Sequence, residues 1–160
     1  MKLLVVSDSH RETEHMLLAL RREKPDAVVH LGDHADDADA IAREFPFLPL
    51  CRVRGNCDYF DDRTPEQVLL RWEGVKLLAV HGHRYGVKGG LLRLQYAARE
   101  KEAQVALFGH THCAYCEELD GLWLLNPGAC GGYMPSYGVI ELHDGAAECC
   151  VKEVYTEEAL

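Results

Sequence analysis

Five short polar groups carry the side chains that could do chemistry in this sequence: Asp8-Ser9-His10, Gly32-Asp33-His34, Gly55-Asn56-Cys57-Asp58, His81-Gly82-His83 and Gly109-His110-Thr111-His112. Carboxylate, amide oxygen and neutral imidazole all ligate divalent metals. Asp8-x-His10 and His110-x-His112 each hold two such groups two residues apart, a spacing that turns both side chains to one side of an extended segment. Each group alone is weak. Asp8 or Ser9 could cap a helix, Asn56-x-Asp58 could be a turn, and a His-x-His pair could be two polar residues on a loop. Together, Asp8, His10, Asp33, Asn56, His81, His110 and His112 are seven oxygen and nitrogen donors, more than one metal needs. They suit two divalent ions that share a bridging carboxylate, with three private ligands on each side. On that count His110 and His112 turn toward different ions. The set has no thiolate, so it suits Mn, Fe, Ni or Zn better than a closed zinc–thiolate site.

Such a site needs a scaffold that gathers distant residues, and each polar group closes an apolar run that reads as a strand. The runs are Met1 to Val6, Asp26 to Leu31, Phe47 to Val53, Val75 to Val80 and Gln104 to Phe108. Ligand groups in open α/β sheets gather at the carboxyl ends of strands. Between the runs lie helix candidates. One carries Met16, Leu17 and Leu20 on a stripe and stops before Pro25; others run from Ala35 to Phe45 and from Leu91 to Lys101. Asp36, Asp37 and Asp39 read as solvated charges in the first turn of the second of these. Glu73-Gly74 joins Pro65 to Trp72 with the run that follows in a hairpin. The last part is mostly β: Tyr115 to Leu119, Leu122 to Leu125, Tyr137 to Leu142 and Ala147 to Val154. An α/β chain that begins βαβαβ and ends in strands can bury them in two packed sheets with helices outside.

Composition narrows the function. Lys and Arg total 17 against 26 Asp and Glu, a formal charge of −9. That excludes the basic stripe by which proteins track extended nucleic acid, though not a small anionic substrate, because bound cations invert the local field. The seven cysteines are odd in number and no basic and apolar leader precedes them, so no disulfide framework is expected. Cys113-x-x-Cys116 has no second pair to complete a zinc site. The expectation is a single domain over 1–160, cytoplasmic, with no membrane span, and compatible with a homo-oligomer.

Taken in order, Asp8-x-His10, Gly32-Asp33, Gly55-Asn56-x-Asp58, His81-Gly82-His83 and Gly109-His110-Thr111-His112 resemble the calcineurin-like metallophosphoesterase superfamily, and more narrowly its small YfcE-type phosphodiesterases. The stretch from His81 to Lys88, Asn126-Pro127-Gly128 and Pro135-Ser136-Tyr137-Gly138 are similar to that branch as well. The resemblance implies a four-layer αββα sandwich of two mixed sheets with two divalent ions, manganese foremost among Mn, Fe, Ni and Zn. Asp8, His10 and His112 would hold one ion, Asn56, His81 and His110 the other, and Asp33 would bridge them. The implied reaction is hydrolysis of a small phosphodiester. Two ions about 3.5–4 Å apart bind phosphoryl oxygens and acidify a bridging water, which attacks phosphorus in line. Arg84 would add positive charge.

Two departures bear on the mechanism. Larger family members carry His after the Asn as general acid, but here Cys57 follows Asn56. A thiol, with a reference pKa of about 8.5, is the poorer proton donor. Asn56, Cys57 and His83 are the catalytic candidates, His83 as the alternative proton donor or as a phosphate-orienting group. The branch commonly has Ser then Arg after Asn-Pro-Gly; this chain reads Ala129-Cys130-Gly131-Gly132, which removes a phosphate-binding arginine from that loop. A chain this short leaves the site open, which predicts broad specificity and slow turnover. His15, His30, His34 and His143 read as structural or surface residues. The competing class is a non-catalytic metal-binding scaffold or protein-interaction module on the same fold.

Overall fold

Strands buried on both faces need unbroken apolar runs, and Leu3-Leu4-Val5-Val6 and Ala27-Val28-Val29 supply them; all seven side chains are fully buried. The computed structural model describes residues 1–155. Strand β1 (Lys2–Val6) pairs in parallel with β2 (Ala27–His30), and β2 in parallel with the short edge strand β3 (Leu50–Arg52). In the other sheet β4 (Gln67–Trp72) and β5 (Val75–Val80) form the hairpin, and β6 (Val105–Leu107) lies parallel to β5. Strands β7 (Tyr115–Leu119) and β8 (Leu122–Asn126) complete that sheet, while β9 (Ser136–His143) and β10 (Ala146–Glu153) return to the first. The orders are β10-β9-β1-β2-β3 and β4-β5-β6-β8-β7, each mixing parallel and antiparallel neighbours.

The layers follow from where the apolar faces meet. Leu3, Val5 and Val29 of one sheet pack on Leu77, Ala79 and Leu107 of the other, closing the interior between the sheets. Helix α1 (Thr13–Glu23), through Met16, Leu17 and Leu20, and α2 (Ala38–Glu44), through Ile41, cover the outer face of the first sheet. Helix α3 (Leu92–Glu100) covers the second through Leu94 and Ala98. The result is an αββα sandwich of two five-stranded sheets. Among the described residues no helix is long and apolar enough to cross a membrane.

Two elements differ from the sequence reading. Strand β3 is shorter than Phe47 to Val53, because Pro49 has no N–H to give a ladder and Phe47 is 98% exposed. The second helix opens as a 3-10 turn over Ala35–Asp37 before its α part. Its start is pinned from outside: Ala35 N–H donates to Asp58 Oδ1 at 3.0 Å, and Asp37 is buried rather than solvated.

One buried charge ties α1 to the far strands. Glu23 Oε1 accepts from Lys152 Nζ at 2.7 Å and from Tyr137 Oη at 2.9 Å. Burial pushes its carboxyl up, but the Lys152 and Tyr137 bonds outweigh it and hold the group below the usual range. A carboxyl lowered in the folded state stabilises above its unfolded pKa, and that contribution is lost as pH falls through the folded value. Glu23→Gln is therefore expected to melt lower than wild type near about pH 7 and to lose less on acidification to about pH 3. Calorimetric melts across that range check it; parallel acid slopes for the two proteins would remove Glu23 from the account.

Candidate metal centre

The carboxyl ends of β1, β2, β5 and β6 meet on one edge of the sandwich. Leu31 N–H donates to Val6 O at 2.8 Å, Asp8 N–H to Gly32 O at 3.0 Å, and Gly109 N–H to His81 O at 2.8 Å, so four strand ends are cross-tied just where their polar groups begin. Two glycines permit the closeness. A Cβ on Gly55 would run into Asp33 Oδ1 and His81, and one on Gly109 would run into Ser7 Oγ with Asp8 Oδ2 at 2.8 Å. Five of the seven expected ligands sit at positive φ: Asp8 (53°), His10 (46°), Asp33 (56°), His110 (69°) and His112 (61°). Left-handed non-glycine residues cost roughly 1–3 kcal/mol each and persist only where the surroundings over-determine them. The strand has therefore ended before His110, and the alternation of an extended segment does not govern where His110 and His112 point.

Asp8, His10, Asp33 and His112 come together, with one ligand atom from each lying within 4.8 Å of all the others. Asp8 is held by its Oδ2, which accepts from Ser7 Oγ at 2.6 Å and from His110 N–H at 3.2 Å. Its Oδ1 faces His112 Nε2 at 3.2 Å and His81 Nε2 at 3.9 Å. His10 Nε2 and His112 Nε2 face each other at 3.4 Å. Asp33 Oδ1 accepts from Cys57 N–H at 2.9 Å and lies 3.4 Å from His81 Nε2. Burial pushes the Asp33 carboxyl up, yet the His81 imidazole beside it and the Cys57 N–H outweigh it and hold the group well below the usual carboxylate range. Asp33 is thus ionised in the metal-free protein.

His81 and His110 form a second group beside Asp33 and Asp8. His81 Nδ1 donates to Leu31 O at 2.8 Å, which fixes the tautomer and turns Nε2 inward. The ring of His110 stands 5.2 Å from that of His81, and His83 is 5.5 Å from His81 and 6.1 Å from His110. So His110 faces His81 while His112 faces His10 and Asp8. Asn56 is exposed, its amide directed to Cys57 Sγ at 3.7 Å, and among the described residues no hydrogen bond joins it to an imidazole. The Cys57 thiol is pushed up to about 11 by burial and by the charges of Asp33, Asp58 and Asp8, so it stays protonated. Arg84 is spent on Glu66, its Nη2 lying 3.0 Å from Oε1.

Asp8 Oδ1 and His81 Nε2 are buried with no hydrogen-bond partner among the described residues. A buried polar atom left unpaired costs about 1–3 kcal/mol. The two atoms lie 3.9 Å apart, Asp33 Oδ1 is 3.4 Å from His81 Nε2, and both are metal donors. The residues present therefore fit a divalent cation: two carboxylates, imidazoles on either side and no ionised thiol.

Sequence reasoning missed a support behind the site. His30 is fully buried, and its Nδ1 accepts Gly32 N–H at 3.1 Å. Nε2 therefore carries the proton and donates to Ser9 Oγ at 3.0 Å, and Ser9 Oγ donates to Asp37 Oδ2 at 2.7 Å. Arg11 N–H donates to the same oxygen at 2.7 Å. Burial above all lowers the His30 pKa to about 4, in keeping with a neutral ring. On the far side Asn126 Nδ2 donates to Gly109 O and Thr111 Oγ1, steadying the loop that carries His110 and His112. His34 stands edge-on to His10, ring centres 5.2 Å apart.

An αββα sandwich with carboxylate and imidazole donors at its strand ends defines a metallophosphoesterase-type protein. The family profile of the calcineurin-like phosphoesterase superfamily domain matches residues 1–145, and the chain belongs to that superfamily. It is 35% identical over 153 residues to the probable metallophosphoesterase YsnB of Bacillus subtilis (strain 168), covering 92% of this chain and 88% of the relative. It is 28% identical over 170 residues to phosphodiesterase YfcE of Escherichia coli (strain K12), covering 88% of each. The structure of wild-type Vps29 complexed with Zn²⁺ from Entamoeba histolytica has the same fold, with a TM-score of 0.76 at 22% identity over 96% of this chain and 99% of that one.

Proposed function

We propose that this protein hydrolyses phosphodiesters at a centre of two divalent ions. The observation that carries the reading is the convergence of Asp8, His10, Asp33 and His112 on one point, with Asp8 Oδ1 and His81 Nε2, 3.9 Å apart, both buried without a hydrogen bond. Asp8, His10 and His112 would hold one ion, Asn56, His81 and His110 the other, with Asp33 common to both. Manganese is the first candidate, and iron, nickel and zinc suit the same donors. Bound ions supply Lewis acidity to phosphoryl oxygens and acidify water.

The side chains do the rest. Ser7 and the His110 N–H orient Asp8, Leu31 O orients His81, and Cys57 N–H orients Asp33, so the donors need little reorganisation. Asn56, His83 and Arg84 line a cavity of about 370 Å³ beside the centre. His83 stands half-buried on that wall, where its ring can orient a phosphoryl or leaving oxygen. The protonated Cys57 thiol supplies no such service in this reading. The substrate is a small phosphodiester, and the acidic surface argues against long nucleic acid.

The protein is expected to hydrolyse bis(p-nitrophenyl) phosphate with added Mn²⁺, to fall to background after chelation, and to recover when Mn²⁺ is restored. Metal analysis of the purified protein accompanies the assay. His83→Ala should lower kcat by about 10²-fold while Cys57→Ala leaves it near wild type. Full activity in the chelated, metal-free protein would end the proposal.

A further inference from the structure

A cavity of about 480 Å³ opens beside the centre and adjoins the cavity that His83 lines, sharing Asp58 and Tyr59 with it. Its walls come from the residues that follow the expected ligands: Arg11 after His10, His34 after Asp33, and Cys57 with Tyr59 after Asn56. Phe60 and Asp36 complete the side that faces solvent. Arg11 and His34 are both left-handed, at φ 69° and 61°, and those turns place both residues on the cavity wall. The Arg11 backbone is fastened to Asp37, but its guanidinium has no hydrogen bond or ion pair among the described residues. Tyr59 and Phe60 are 74% and 89% exposed and lean on each other, ring centres 4.4 Å apart and tilted by 47°.

From this we infer that the cavity is the subsite for one ester arm of the substrate, and that the arm it selects carries a neutral aromatic ring, an aryl group or a nucleobase. The inference rests on the phosphoesterase reading, because a phosphoryl group at the metal centre is what places an ester arm in this cavity. The volume suits a group of that size. Two adjacent exposed rings and an uncommitted guanidinium are stacking partners for a planar ligand. The wall also carries Asp36, Asp58 and Asp61. Asp58 accepts from the N–H groups of Asp33, Ala35 and Gly55, and Asp61 from those of Arg63 and Thr64, so both are held in place on the wall. Three acids against one arginine disfavour an arm with a second phosphate.

The test is a calorimetric titration of the Mn²⁺-loaded protein with phenylphosphonate, methylphosphonate and inorganic phosphate. Wild type should bind phenylphosphonate roughly tenfold more tightly than methylphosphonate, the scale of one ring stacking on aromatic side chains. In the double variant Tyr59→Ala/Phe60→Ala that preference should vanish; both residues are exposed, so the fold is not at risk. Equal wild-type affinities, or a preference that survives in the variant, would overturn the subsite while phosphate binding still upholds the centre. If phosphate itself does not bind, the reading of the centre fails and the subsite falls with it. Pyrophosphate outcompeting phenylphosphonate would reverse the assignment in favour of an anionic arm.

Discussion

Asp33→Asn is expected to lower phosphodiester hydrolysis by on the order of 10³-fold and to leave the purified protein with less bound divalent metal than wild type. The substitution keeps the size of the side chain and an oxygen that can accept the Cys57 N–H, the bond measured at 2.9 Å. It also keeps the turn at φ 56°, which asparagine tolerates better than most residues. The fold should survive. What disappears is the negative charge between two sets of imidazoles. In the proposed centre that charge is shared by both ions, so its loss weakens both together. Replacing a private ligand, by contrast, removes one donor from one ion. Asp33 lies beside His81 at 3.4 Å, and its carboxyl belongs to the group that also contains Asp8, His10 and His112. Asp8 also reaches both groups, His112 at 3.2 Å and His81 at 3.9 Å, but Asp33 lies nearer to His81. Metal content by elemental analysis and kcat by the chromogenic assay check the result. A variant with wild-type metal and wild-type rate would remove Asp33 from the centre.

The parts of the molecule legible in the sequence are those fixed by short-range pattern. Val75 to Val80 needed only its apolar run and the Glu73-Gly74 turn, and β5 has those bounds. Leu122 to Leu125 and Tyr137 to Leu142 were found within one residue of β8 and β9. The strand-end polar groups were legible for the same reason, since a strand that stops at glycine and then carboxylate announces a turn. What stayed hidden depends on contacts between residues far apart in the chain. Asp37 looks like any acid in a first helical turn, and only the fold brings it to Ser9 and Arg11, across 28 and 26 residues. Two-residue alternation does not set the directions of His110 and His112, because five site residues adopt left-handed backbone under long-range ties such as Gly109 N–H to His81 O. The cavity of Arg11, Tyr59 and Phe60 was equally invisible, being assembled from loops that carry no periodic signal.

The chain from His30 through Ser9 to Asp37 leads to the second large effect. Ser9 lies between Asp8 and His10, and Gly32, whose N–H His30 accepts, precedes Asp33. One run of hydrogen bonds therefore sets the two loops that supply three of the four clustered donors. Asp37 closes the run by accepting from both Ser9 Oγ and Arg11 N–H through a single oxygen. Asp37→Ala leaves a buried hydroxyl and a backbone N–H without an acceptor and frees the turn on which His10 sits. Groups that orient metal ligands typically change affinity by 10–100-fold when removed. Asp37→Ala is expected to weaken Mn²⁺ binding by about that factor, with kcat at saturating metal falling less than affinity. Asp37→Asn should recover most of it, because an amide oxygen can accept both bonds. The readout is the Mn²⁺ dissociation constant by calorimetry, alongside a thermal melt of each metal-free variant. A purely structural role would depress the melts of Asp37→Ala without moving the dissociation constant. Equal Mn²⁺ affinities for wild type and Asp37→Ala would place Asp37 in the fold alone. A positioning role requires the affinity to fall and the asparagine variant to restore it.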